Sequence, residues 1–255
     1  MTAAETLATA IRIAEAASAL PMTYFRRPIG IDLKGDESPV TIADRETEAA
    51  IRRALAEAFP EDGIFGEEFG KERLDAENLW IIDPIDGTRS FITGNPLFGL
   101  LMGRIERGRP VIGIVRMPAL NETFAGAPGG GATLNGRTIR ARTTERLSEA
   151  MIWVNEAERH MADDPARFAR LCRIGHTRRM GYDCYPHAMV AAGQIDAVID
   201  MGLEPYDYMP LIALVEAAGG LIRDWQGKPL DLSSDGRVVT AATPALLDQV
   251  LEMLA

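Results

Sequence analysis

The sequence predicts a mixed α and β protein, an α+β half followed by an α/β half, and three observations predict it. Apolar residues recur at helical spacing near the amino terminus, as at Leu7, Ile11, Ala14 and Ala17. From Trp80 to Ala125 the apolar runs are of strand length and are separated by short polar turns, which indicates an antiparallel sheet. Beyond Met151, strand-like and helix-like segments alternate. Between residues 140 and 148 the apolar pattern lapses into charged and small polar residues, so the boundary is expected there: halves 1–140 and 141–255 of one compact unit.

In order, the first helix should run from Ala3 to about Arg27, with Pro21 ending or kinking it. Lys34 to Asp44 reads as a hairpin-like polar loop entering a helix that ends near Phe59. Thr41 and Asp44 have capping-box spacing, so Asp44 is either a cap or a functional acid. Ile64-Phe65 reads as a short strand, and Gly66-Glu67-Glu68-Phe69-Gly70 follows. Two adjacent acids usually mark a solvated loop, but flanking glycines let backbone and carboxylate approach a ligand closely. Strands are expected at 98–106, 111–117 and 122–125, with a hairpin at Asn135-Gly136. In the second half, 151–154 and 195–200 read as strands, and 165–171, 184–193, 205–218 and 244–254 as helices. Pro205 suits a first helical position, and Asp207 in that first turn could be simple dipole compensation.

The stretch that organises the chain is Trp80-Ile81-Ile82-Asp83-Pro84-Ile85-Asp86-Gly87-Thr88-Arg89-Ser90-Phe91. An apolar run ends in two carboxylates three residues apart. Pro84 cannot continue a ladder, so Asp83 should close the strand while the chain turns before Asp86. Oxygen-only ligands with no Cys or His nearby suit Mg²⁺ before Zn²⁺. Gly87 and Thr88 would expose backbone N–H groups at a helix start, which favours an anion. The alternative is an ordinary strand end followed by an Asp-Gly turn.

With 255 residues, 47% of them hydrophobic, a sizeable core is available. The net charge of −10, with no basic block, argues against nucleic acid or an anionic membrane as partner. Cys172 and Cys184 lack paired-motif spacing and should be free thiols in a reducing compartment. The three histidines are scattered, which argues against a zinc site. Residues 1–5 lack a basic stretch, and Arg12 and Glu15 interrupt the apolar residues that follow. No signal peptide and no membrane span are expected, and the location should be cytoplasmic.

Taken together, Gly66-Glu67-Glu68, Asp83-Pro84-Ile85-Asp86-Gly87-Thr88, Tyr206-Asp207 and the later Gly219-Gly220 resemble the inositol monophosphatase family over nearly the whole chain. The resemblance implies a layered αβαβα sandwich, a homodimer, and Mg²⁺-dependent, lithium-sensitive hydrolysis of a small phosphate monoester, with two or three Mg²⁺ per site. By that correspondence Glu67, Asp83 and the Ile85 carbonyl hold one metal, and Asp83, Asp86 and Asp207 a second. Gly87 and Thr88 bind phosphate. Thr88, Glu67 and Asp44 form the catalytic set, and a relay from water through the Thr88 hydroxyl to Asp44 or Glu67 is one hypothesis.

Ser38-Pro39-Val40-Thr41, Arg89-Ser90-Phe91-Ile92-Thr93-Gly94, Tyr182-Asp183-Cys184-Tyr185 and Glu204-Pro205-Tyr206-Asp207 look like the family's histidinol-phosphatase branch, which would belong to histidine biosynthesis. Arg89-Ser90 and Tyr206 depart from the wording usual in inositol-cleaving members. Asp183, Asp200 and Arg89 fall on substrate-facing positions; locally, Asp183 could instead be a helix N-cap and Asp200 a strand-end turn acid. The alternatives are an inositol-1-monophosphatase or a related sugar or nucleotide phosphatase, a non-catalytic metabolite-binding or regulatory homologue, and a structural dimer whose acids only cap helices.

Overall fold

The computed structural model describes residues 1–33, 35 and 39–255. Apart from Gly35, the polar loop read at 34–38, including Ser38 of the Ser-Pro-Val-Thr motif, lies outside the described residues. Helices α1 (Ala3–Ala17) and α2 (Ala19–Tyr24) lead to a small antiparallel pair, β1 (Ile31–Leu33) and β2 (Pro39–Thr41), and to α3 (Ile42–Ala58). The single helix expected at the start is broken at Ser18. The ring of Pro21 would clash with the carbonyl four residues earlier, so the break precedes the proline instead of following it.

Next come β3 (Gly63–Gly66), β4 (Gly70–Glu72), β5 (Asn78–Asp86), α4 (Thr88–Ile92), β6 (Gly99–Glu106), β7 (Arg109–Met117), β8 (Glu122–Ala127), β9 (Gly131–Leu134) and β10 (Arg137–Ile139). They build an eight-stranded sheet in the order β10-β9-β8-β7-β6-β5-β3-β4, antiparallel except where β3 meets β5. The remaining elements are β11 (Met151–Asn155), α5 (Ala157–Asp163), α6 (Pro165–Leu171), β12 (Thr177–Gly181), α7 (Tyr185–Ala191), β13 (Ala197–Asp200), α8 (Pro205–Ala217), β14 (Leu221–Asp224), β15 (Val238–Ala241) and α9 (Pro244–Leu254). Their strands form a five-stranded sheet, β12-β11-β13-β15-β14. The sequence pattern did not reveal β12, because its Thr177, Arg178, Arg179 and Met180 are all exposed at the sheet edge and show no alternation.

Side-chain alternation sorts these elements into the layered αβαβα sandwich. Trp80 and Ile82 of β5 pack with Ala10 and Ala14 of α1 and Ile51 and Leu55 of α3 on one face of the large sheet. Ile81 on the other face joins Leu211, Leu214 and Val215 of α8, a layer that also includes Ile222 and Val238 of the small sheet. Outside that sheet, Ile152, Val154 and Ile199 pack with Leu171 of α6 and Leu246 and Val250 of α9. Among the described residues no helix is long and apolar enough to cross a membrane.

Helix α8 is therefore buried between two sheets, and its approach to the large one depends on glycine. A Cβ on Gly113 of β7 would lie 2.0 Å from the Pro210 carbonyl oxygen, and one on Gly103 of β6 would lie 3.0 Å from the Pro210 Cα. Gly113→Val should wedge the helix away and reduce unfolding free energy in urea by about 1–3 kcal/mol. Gly30→Ala, whose methyl meets nothing within 4 Å, should stay within about 0.5 kcal/mol of the parent.

Candidate active site

Strand β5 carries both organising acids. It does not close at Asp83 as expected: it continues through Asp86 with a register shift, Asp83 facing Leu101 and Asp86 facing Gly99 across β6. Three steps along β5 match two along β6, a bulge that accommodates Pro84, which has no N–H to lose from the ladder. Asp83 Oδ1 accepts the Ile85 N–H at 2.9 Å inside the bulge.

The bulge brings Asp83 and Asp86 together with Asp207 of α8, each placing a carboxylate oxygen within 4.8 Å of the others. Asp207 also caps its helix, accepting the Glu204 N–H at 2.7 Å, so dipole compensation and convergence coexist. The Glu67 carboxyl is in hydrogen-bond contact with that of Asp83. Its loop is clamped by buried Glu48, which accepts the N–H groups of Glu68 at 2.7 Å and Phe69 at 3.2 Å, and the Arg52 Nε at 2.7 Å. A Cβ on Gly66 would lie 2.1 Å from Glu48 Oε1. Gly66 thus makes room for the clamp.

Burying these acids together disfavours their charged forms. Desolvation first, then the neighbouring Glu67, Asp86 and Asp207, pushes the Asp83 carboxyl well above the usual range. Burial and then Asp207 push Asp86 up to about 8, against the pull of the Cys184 N–H at 2.5 Å. Burial raises Asp207 to about 7, opposed by the Glu204 N–H. The set fits a hard divalent cation: carboxylate oxygens and the adjacent Ile85 carbonyl, with a local excess of negative charge for a cation to offset.

Beside the acids, Gly87 adopts φ 81° as the N-cap of α4, and a Cβ there would sit 2.5 Å from the Asp183 carboxylate. The Thr88 hydroxyl lies 3.2 Å from both Asp44 Oδ1 and the Ile85 carbonyl oxygen. Asp44 Oδ2 accepts the Thr41 N–H at 2.8 Å and hydroxyl at 2.6 Å. Asp44 is therefore both the helix cap and the partner of Thr88. Burial raises its carboxyl, with the Thr41 bonds opposing.

A cleft of about 170 Å³ is bordered by Glu67, Asp86, Thr88 and Asp207, and also by Glu156, Asp183 and Asp200. Exposed Arg89 and Arg159 border it too. Asp183 does not cap α7. Cys184 is the N-cap, without a side-chain bond, while Asp183 sits at φ 61° and accepts the Ser90 hydroxyl at 2.6 Å. Burial and then Asp86 raise Asp183 to about 8. Asp200, only 1% exposed, accepts the Asn155 Nδ2 at 2.6 Å and the Met201 N–H at 2.8 Å, the latter being the strand-end turn expected of it. Sequence reasoning missed Glu156, which burial and then Asp200 raise to about 7. The available signal was its place just past the end of β11, like Asp200 at the end of β13. Arg159 was missed with it, and reaches the Gly202 carbonyl at 3.2 Å and Glu156 at 3.3 Å. Cys172 and Cys184 are free, half-buried and buried respectively.

An acid cluster shared between the two sheets' elements and set against a short helix start could hold divalent cations beside an anion. The model of the inositol monophosphatase family matches residues 2–255, and the chain belongs to that family, whose members are phosphatases of small phosphomonoesters and generally Mg²⁺-dependent. A histidinol-phosphatase of Chlorobaculum parvum is 37% identical over 233 residues, 90% of this chain and 89% of that one. The chloroplastic bifunctional phosphatase IMPL2 of Arabidopsis thaliana is 37% identical over 252 residues, 95% of this chain and 72% of its own. The solved structure of an inositol monophosphatase from Zymomonas mobilis matches with a TM-score of 0.89 at 37% identity, covering 100% of this chain and 99% of that one.

Folded, metal-free protein holds protons on Asp86 and Asp207 that the unfolded chain releases near pH 4. The stability these acids contribute is present below about pH 4 and is lost as pH rises through about 7–8. Chelated protein should therefore melt at falling temperature from about pH 5 to about pH 8.5, and excess Mg²⁺ should reverse the trend. Asp83→Asn should melt above chelated wild type at the alkaline end and gain little from Mg²⁺. A variant that melts lower at every pH would contradict this assignment.

Proposed function

We propose that this chain is a Mg²⁺-dependent histidinol-phosphate phosphatase, acting in the cytoplasm as a homodimer. The observation that carries the substrate is the trio Glu156, Asp183 and Asp200 bordering the same cleft as the metal-type acids. Glu67, Asp83, the Ile85 carbonyl, Asp86 and Asp207 would hold the ions. Ions held there would supply charge neutralisation for phosphoryl oxygens, an acidified water and stabilisation of the leaving alkoxide.

The protein's own groups supply the rest. Backbone N–H groups of Gly87 and Thr88, at the start of α4, would donate to the phosphate. Thr88 Oγ1 can accept a proton from the attacking water while donating its own to Asp44 Oδ1, 3.2 Å away. Asp44 is a suitable sink, since burial raises its proton affinity while Thr41 fixes its orientation.

On the alcohol side, Asp183 and Glu156, raised to about 8 and about 7, are carboxylates short of positive partners. An arriving cation favours their ionised forms. Histidinol phosphate brings a primary ammonium and an imidazole that is partly cationic near neutral pH; inositol phosphate brings neutral hydroxyls. A charge-assisted hydrogen bond to the ammonium is worth about 1.5–3 kcal/mol, or roughly 10–150-fold in preference. The likeness to a structure named as an inositol monophosphatase keeps the neutral polyol as the rival substrate.

Histidinol phosphate should exceed inositol 1-phosphate and glucose 6-phosphate in kcat/KM, and Asp183→Asn and Asp200→Asn should each erode that preference more than they slow a small neutral-alcohol ester. Side-by-side kinetics of phosphate release with and without Mg²⁺ checks both points. A win for inositol phosphate would overturn the substrate, and absence of Mg²⁺-dependent turnover on every ester would overturn the enzyme.

A further inference from the structure

We infer that His187 and Thr240 are positioning residues which hold the Asp200 carboxylate from behind and thereby set the preference for a cationic alcohol, an inference that rests on the function proposed above. His187 of α7 is fully buried. Its Nε2 lies 2.9 Å from Asp200 Oδ2 and its Nδ1 2.8 Å from the Thr240 hydroxyl. A buried histidine on an apolar helix has ordinarily only to be satisfied. This one is satisfied by a carboxylate that borders the substrate cleft.

The strand register explains the convergence. Asp200 of β13 faces Val238 of β15, so Thr240, two residues along, is its diagonal neighbour on the same face of the sheet. Helix α7 packs against that face, through Val190 on Val198. A carboxylate oxygen accepts, so Nε2 donates to Asp200, while the Thr240 hydroxyl holds Nδ1 on the far side of the ring.

With Asn155 Nδ2 on the same oxygen and the Met201 N–H on Oδ1, Asp200 has three donors, all within 2.9 Å. A carboxylate held by three donors is oriented before substrate arrives, so little ordering remains to be done on binding. Without the imidazole, Oδ2 would lose a donor and the group would be free to rotate into the vacated space. Selection of a cation would weaken, while the phosphate end would be untouched.

The test compares histidinol phosphate with phenyl phosphate, whose alcohol is neutral. His187→Leu should raise KM for histidinol phosphate about 10-fold or more, the scale of one charge-assisted hydrogen bond, and change kcat for phenyl phosphate by less than about twofold. His187→Gln, whose amide keeps an N–H for Oδ2, should recover most of the loss, and Thr240→Val should fall between. If His187→Leu does not fold, the kcat/KM ratio of the two esters in Thr240→Val decides. A wild type that prefers histidinol phosphate, with that ratio unmoved in the variants or both esters slowed together, overturns this inference alone. A wild type without the preference overturns the proposed substrate and the inference with it.

Discussion

Like charges are held together here by packing, and the rest of the structure follows from that constraint. Asp83, Asp86 and Asp207 bring carboxylate oxygens within 4.8 Å of each other, with Glu67 against Asp83. Nothing about the acids favours this arrangement; desolvation and repulsion both oppose it. The opposing free energy comes from the layers. β5 is buried on both faces, and α8 is enclosed between two sheets with its backbone against Gly103 and Gly113. Each acid sits at the end of an element whose position is fixed by apolar contacts elsewhere. The cluster can then respond only by taking up protons or cations, as a group that could hold a metal ion does and a loop that relaxes open does not.

How much of this was legible depends on how local each feature is. Asp83 and Asp86 lie within one segment, and their approach could be read from the strand pattern and Pro84, although the route was a bulge and not a turn. The large sheet, α3, α8 and α9 announce themselves through periodicity and capping signals. Asp207, Asp183 and Asp200 are different: nothing local joins them to β5, and their place in the site came from the resemblance to a known family. Asp183 looked like an N-cap because an acid precedes a helix, but its left-handed backbone aims it at Ser90. Glu156 went unseen for a related reason, since a non-glycine residue at φ 51° carries no turn signal in the sequence. Gly66 was legible as a close approach but not as whose, because Glu48 is 18 residues earlier on another element. His187 drew no reading of its own in the sequence, because its partners come from two strands distant along the chain.

The acids around the cleft differ in how far the protein itself compensates them, and that difference assigns their work. Asp200 has three internal donors and needs nothing more to stay oriented. Asp183 has the Ser90 hydroxyl, with exposed Arg89 only a weak aid, and Glu156 has Arg159 at 3.3 Å on the solvent side. Screening by water limits what an exposed arginine contributes to such pairs. On the function proposed above, Asp183 and Glu156 would be where an incoming cation gains most, with Asp200 held fixed beside the same cleft.

Helix α4 ties this alcohol side to the phosphate side. On the function proposed above, its N-cap Gly87 and first residue Thr88 would meet the phosphate, and Ser90, on the same short helix, holds Asp183. Gly87 leaves no room for a Cβ beside that carboxylate, so the start of α4 and the Asp183 side chain lie close together. An ester spanning the cleft would thus meet its phosphate and alcohol contacts at a separation set by five residues of helix, and an alcohol that satisfied Asp183 would draw its phosphoryl group against Thr88 and the acids of β5. On that reading, discrimination of the alcohol and placement of the phosphate would share one short helix, which is how recognition of a group that does not react can contribute to the rate of the one that does.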